Sequence, residues 1–146
     1  MGAGLEIAAA CDLRVASDSA QFGMPEVKLG IPSVIEAALL PGLIGWGRSR
    51  RLLLLGETIT ANQAESWGLV ERVAAAEALD DAIQEWLELI LQTSREALRL
   101  QKTLIRQWED LPLSAAIQAG VDSFETAYGS EEPRVRMSAF LARRKK

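Results

Sequence analysis

A chain of 146 residues, 49% apolar and 25% charged, has the ordinary balance of a globular protein and is long enough for one real core. It contains no histidine and a single cysteine, Cys11, which excludes Ser-His-Asp and Cys-His catalysis, histidine or thiolate metal sites and an intramolecular disulfide. With no histidine, proton chemistry falls to carboxylates, lysine, tyrosine or bound water, and a net charge of −4 argues against a nucleic-acid-binding face.

In chain order, residues 2–11 (GAGLEIAAAC) predict a glycine-flanked turn feeding a helix. Residues 12–16 and 20–23 read as short strands around the turn Ser17-Asp18-Ser19. Residues 25–32 (PEVKLGIP), with a proline at each end, predict a loop or strand carrying Glu26. Ser33 has the character of an N-cap with Glu36 at the capping-box position, starting a helix that Pro41 should end. A further helix spans residues 48–55 and closes at Gly56; Thr60 caps the next, and Gly68 stops it. Residues 69–73 predict a strand. Helical periodicity then dominates residues 80–92, with Ile83, Trp86, Leu87 and Ile90 on one stripe, and continues through 95–109, 113–128 and a last helix from Pro133. The sheet these helices should cover is small.

The most apolar stretches are broken or flanked by Glu36, Pro41, Gly42, Gly45 and the arginines 48, 50 and 51, so none reads as a membrane span. The first positive side chain is Arg14, which leaves no basic leader, and with the unpaired cysteine the expectation is a cytoplasmic location. Arg48, Arg50 and Arg51 read first as a solvated face and second as a phosphate-binding cluster. The tail Arg143–Lys146 reads as a basic helix end. Trp46, Trp67, Trp86 and Trp108 are expected in core or interface, and Cys11 as a buried small hydrophobe.

Two features carry chemistry. M-G-A-G-L-E places free backbone N–H groups and Glu6 at a helix start, a geometry suited to an oxyanion. F-G-M-P-E puts a second carboxylate, Glu26, on a loop twenty residues later, and two converging carboxylates can divide acid and base roles. On spacing alone a glycine-rich turn is most often only a turn, and a glutamate most often solvated.

The run GAGLEIAAACDLRVASDSAQFGMPEVKLGIP resembles the signature of the enoyl-CoA hydratase/isomerase family, the crotonases. LIGWGRSRRLLLLGETITANQAESWGLVERV, the C-terminal helices and M-S-A-F follow in family order, so the resemblance covers essentially the whole chain. It implies an α/β fold of the crotonase ββα-spiral type, here the C-terminal, mostly helical portion, because Met1 falls directly against the glycine run. Residues 1–75 would be the part of the core carrying the catalytic glutamates, and 76–146 a helical oligomerisation region. Ala3 stands where the family has a glycine whose backbone N–H is half of an oxyanion hole. Glu6 and Glu26 match the two catalytic glutamates of the hydratases, with Gly4 and Pro25 beside them as substrate-binding positions.

The implied reaction is addition of water to a 2-enoyl-CoA. No metal or separate cofactor is expected, coenzyme A being part of the substrate, and the implied partners are the missing N-terminal half and further copies in a trimer or hexamer. Isomerase members keep the second glutamate and lose the first, so the presence of both favours a hydratase. The family's glycine-rich stretch after I-P is here SVIEAALLP, and Val34, Ile35 and Glu36 replace small residues near the acyl pocket. An enoyl-CoA isomerase, another crotonase-type thioester reaction and a non-catalytic helical oligomerisation module remain the alternatives.

Overall fold

The structure, a computed structural model, describes residues 1–143. Apart from the backbone of Arg143, the basic tail lies outside the described residues. The chain divides into two compact units, Met1–Trp86 and Leu87 onward.

In the first unit a short helix, α1 (Ala3–Ala9), precedes β1 (Val15–Ser17) and β2 (Gln21–Gly23). Two 3₁₀ turns, Glu26–Leu29 and Ile35–Leu39, lead into α2 (Leu40–Leu55), followed by β3 (Thr58–Thr60), α3 (Ala61–Trp67) and β4 (Arg72–Ala74). β1 pairs in parallel with β4, Val15 opposite Arg72, and β2 pairs antiparallel with β3, Phe22 opposite Ile59. The sheet is as small as the sequence suggests: two pairs of three-residue strands among the described residues. What holds the unit together is therefore side-chain packing. Leu5 and Ala9, four apart on α1, face a core of Met24, Leu40, Ile44, Leu52, Ile59 and Leu69. Burying each of the larger side chains contributes about 1.5–3 kcal/mol.

α3 has the boundaries its capping signals predict. The Thr60 hydroxyl accepts from Gln63 N–H, the Gln63 side chain accepts from Thr60 N–H, and Gly68 takes the left-handed cap. Three other expectations need correction. Residues 25–32 are neither loop nor strand around Glu26, which opens a 3₁₀ turn closed by Gly30. Ser33 does not cap a helix. Val34 is the N-cap of the Ile35–Leu39 turn and no side chain caps it, because the Ser33 hydroxyl is engaged elsewhere. Pro41 does not end a helix but sits in the first turn of α2, where a missing N–H costs nothing; the interruption comes at Gly45. Cys11 is exposed, being just beyond the C-cap Ala10 and off the Leu5–Ala9 stripe.

A helix α4 (Leu79–Leu91) begins in the first unit and continues into the second, which holds α5 (Arg95–Asp110), α6 (Leu113–Ala127) and α7 (Glu132–Arg143). Ser94 caps α5, accepting from Ala97 N–H, and its own hydroxyl donates to Glu132 at 2.8 Å. Arg136 donates to the other Glu132 oxygen and to the C=O of Gln92, just past the end of α4. Those bonds hold the Glu132 carboxyl below its usual range, the Ser94 hydroxyl contributing most. Leu104 and Ala116 are buried between α5 and α6, where the Trp108 indole donates to Ala116 C=O.

Candidate active site

The site begins at Gly2. Its backbone is in a positive-φ conformation (φ 54°, ψ −131°) that glycine adopts readily, and it forms the N-cap of α1. Its N–H donates to Gly23 C=O at 2.9 Å, which ties the helix start to the end of β2. A Cβ at Gly2 would lie 2.7 Å from Glu26 Oε1, so the missing side chain is the space that the Glu26 carboxylate fills.

Glu26 reaches that point because the chain turns immediately after β2. Met24 is wholly buried and anchors the segment, Pro25 starts the 3₁₀ turn, and Pro25 C=O accepts from Lys28 N–H. The second carboxylate oxygen, Oε2, accepts from the Ser33 hydroxyl at 3.0 Å. Glu26 and Ser33 are both half-buried.

Glu6 lies in the first turn of α1, half-buried, next to the fully buried Leu5. The structure thus brings Glu26 to the N-cap of the helix that carries Glu6, although no hydrogen bond joins the two among the described residues. In that first turn Gly4 N–H donates to Met1 C=O, and Leu5 and Glu6 N–H to Gly2 C=O. Ala3 N–H has no acceptor among the described residues, as expected at a helix start. Gly4 is exposed, and a side chain there would meet nothing within 4 Å. A free amide, a carboxylate held at one oxygen and a second carboxylate in the same helix's first turn have the chemistry to receive an oxyanion and to hold and deprotonate water.

The sequence reading missed Ser33 as part of this group. The usable signal was Gly30, whose left-handed turn, with Ile31 N–H donating to Glu26 C=O, returns the chain towards Glu26. Two residues beyond Ser33, Ile35 has φ 51°, a conformation that costs a β-branched residue about 1–3 kcal/mol.

The arginine cluster is turned to intramolecular partners. Arg48 donates to Trp67 C=O, the guanidinium groups of Arg48 and Arg51 lie 5.7 and 5.5 Å from the Trp67 ring centre, and Arg50 lies over the exposed Trp46. Arg51 also pairs with Glu57, whose hydrogen bond raises the Arg51 pKa. Among the described residues no three His, Cys, Asp or Glu side chains are grouped to hold a metal ion, and no helix is long and apolar enough to cross a membrane.

Glu26 thus sits at the start of the glycine-opened helix that carries Glu6, in a mostly helical chain with little sheet. The family description enoyl-CoA hydratase/isomerase matches residues 1–146, and the chain belongs to that family. It is 34% identical over 146 residues to a crotonyl-CoA hydratase of Syntrophomonas wolfei and 32% identical to a short-chain-enoyl-CoA hydratase of Clostridium acetobutylicum, in each case over 99% of this chain and 56% of the relative. Among solved structures, an enoyl-CoA hydratase from Bacillus anthracis superposes with a TM-score of 0.93 at 31% identity, covering 97% of this chain and 55% of that one. One from Mycobacterium smegmatis gives 0.93 at 27%, with the same coverage. The fold is the mostly helical portion of the crotonase fold, and the chain spans a little over half the length of these relatives.

Proposed function

We propose that this chain carries the glutamate side of an enoyl-CoA hydratase site. Glu6 and Glu26 hold and activate a water whose oxygen adds to C3 of a 2-enoyl-CoA, while C2 takes a proton and the product is the 3-hydroxyacyl thioester. The thioester oxygen becomes enolate-like as the C–O bond forms, and Ala3 N–H is one donor to it. Gly4 and Pro25 flank the substrate, and coenzyme A enters as part of it. The observation that carries this reading is the Glu26 carboxylate seated at Gly2, one residue before the unpaired Ala3 amide.

The same proposal takes residues 1–75 as the catalytic part and 76–146 as a region for assembly of copies. Exposed apolar side chains on α4 support the second half: Ile83 is 38% and Leu87 45% exposed. A cytoplasmic location is supported by the unpaired cysteine. Sedimentation at micromolar concentration should show self-association, and a strictly monomeric species would remove the assembly role.

The catalytic test follows loss of enoyl-thioester absorbance with crotonyl-CoA. It uses the chain alone and the chain mixed with a polypeptide covering the part of the Syntrophomonas wolfei relative that it does not span. Hydration is expected in the mixture, with Glu6→Gln and Glu26→Gln each lowering it at least about 10²-fold, the scale of lost general acid–base catalysis. Hydration absent from both samples, or indifferent to both substitutions, would overturn the reading. Dependence on Glu26 alone would point to isomerisation instead.

A further inference from the structure

We infer that Ser33 is a positioning residue for Glu26, which rests on the hydratase reading above for its catalytic consequence. A glutamate side chain has three rotatable bonds and, when half-exposed, samples many carboxylate positions. Here one oxygen is held and the other faces Gly2. Oε1 occupies the space in front of Gly2, and Oε2 accepts from the Ser33 hydroxyl at 3.0 Å. With Oε2 engaged, Oε1 is the oxygen left to take a proton from water, and it is the one beside the start of α1.

The path of the chain brings the hydroxyl there. Glu26 C=O accepts from Ile31 N–H, Gly30 reverses the direction at φ 80°, and Val34 leaves the turn in extended conformation (φ −132°, ψ −169°). Ile35, 71% exposed, then takes its positive φ without burial to offset the strain. Strain of that kind persists where surrounding contacts dictate the backbone, and the Ser33–Glu26 bond is such a contact two residues away. A glycine at position 33 would have no hydroxyl, so the donor to Glu26 is the Ser33 side chain itself.

Two readouts test this. In the 146-residue chain, the carboxyl ¹³C resonance of Glu26, assigned by its loss in Glu26→Gln, should move in Ser33→Ala and in Ser33→Gly and return in Ser33→Thr, which restores the hydroxyl. In the crotonyl-CoA assay of the mixed sample, Ser33→Ala should lower kcat roughly 10-fold, the scale of a hydrogen bond to a charged group. KM should stay within about twofold, because Ser33 does not touch substrate on this reading, and Ser33→Thr should recover most of kcat. An unmoved Glu26 resonance in Ser33→Ala and Ser33→Gly would overturn the inference, as would a moved resonance with unchanged kcat. Absence of hydration from the unsubstituted sample would overturn the functional reading, and the carboxyl resonance would still decide whether Ser33 holds Glu26.

Discussion

Glu71→Ala is expected to loosen the back end of the helix that carries Glu6. Arg14 is only 9% exposed, and its guanidinium donates to Glu71 Oε1 and, at 2.6 Å, to Cys11 C=O just past the end of α1. The Arg14 N–H donates to Glu71 Oε2 at 2.6 Å, and Glu71 N–H returns to Arg14 C=O. Removing the carboxylate leaves a buried guanidinium with carbonyl partners alone and a backbone amide without its acceptor. Breaking a buried pair by deleting one partner costs about 3–5 kcal/mol. The Glu71 side chain is one-third exposed, so solvent screens part of that pair and we take the lower end, about 3 kcal/mol. For a chain of this size that is a fall in Tm of roughly 6–12 °C. Glu71→Gln, which keeps an oxygen for one of the two donors, should cost about 1 kcal/mol. Urea unfolding followed by tryptophan fluorescence reads the effect, since Trp46, Trp67 and Trp86 all lie in the first unit. A loss below about 1 kcal/mol for Glu71→Ala, or equal losses for both variants, would refute the argument.

Ser94→Ala removes the cap of α5 and should destabilise the chain by about 1 kcal/mol in urea titration. The same substitution acts on Glu132, whose lowered carboxyl pKa means a contribution present above the ordinary carboxylate value and lost as pH falls through the lowered one. A ¹³C titration should therefore find the Glu132 carboxyl moved up in Ser94→Ala, with a shallower acid-side loss of stability; an unmoved titration would count against the Ser94 bond. Ile35→Gly should raise the urea midpoint, with a gain in unfolding free energy of roughly 0.5–1 kcal/mol, because relief of about 1–2 kcal/mol of left-handed strain exceeds the entropy cost of glycine. A lowered midpoint would mean that the Ile35 side chain is held by contacts that outweigh the strain. Cys11 should react with a thiol reagent in the native chain about as fast as in denaturant, and strong native protection would contradict its exposure.

Elements whose signals act over three or four residues were legible in the sequence. Thr60 and Gly68 delimit α3, Gly56 closes α2, and Pro112 opens α6, all from chemistry carried beside the element itself. What stayed hidden depends on partners farther along the chain. Ser33 and Glu36 have the spacing of a capping box, yet the Ser33 hydroxyl goes back seven residues to Glu26, and that choice is made by the turn at Gly30. Pro41 is equally compatible with stopping a helix and with opening one, and only the preceding 3₁₀ turn decides between them. At the candidate site, Glu6 and Glu26 stand out in the M-G-A-G-L-E and F-G-M-P-E runs, and their catalytic roles come from family resemblance. Spacing alone does not place Glu26 at Gly2, because the approach runs through the hydrogen bond from Gly2 N–H to Gly23 C=O.

Gly23 has no chemistry of its own, but the site inherits its position from it. A Cβ there would come within 2.6 Å of Glu57 C=O and about as close to the Met1 side chain as atoms can pack. Any larger residue must push β2 away from β3, and the carbonyl that receives Gly2 N–H moves with it. The disturbance would arrive at the Gly2–Glu26 contact without a single site residue having changed. In a mutational scan read by activity, position 23 should therefore tolerate substitution as poorly as the glutamates do, while the neighbouring exposed Gln21 varies freely. Inheritance of the site is in this sense a constraint on a strand edge as much as on the acids.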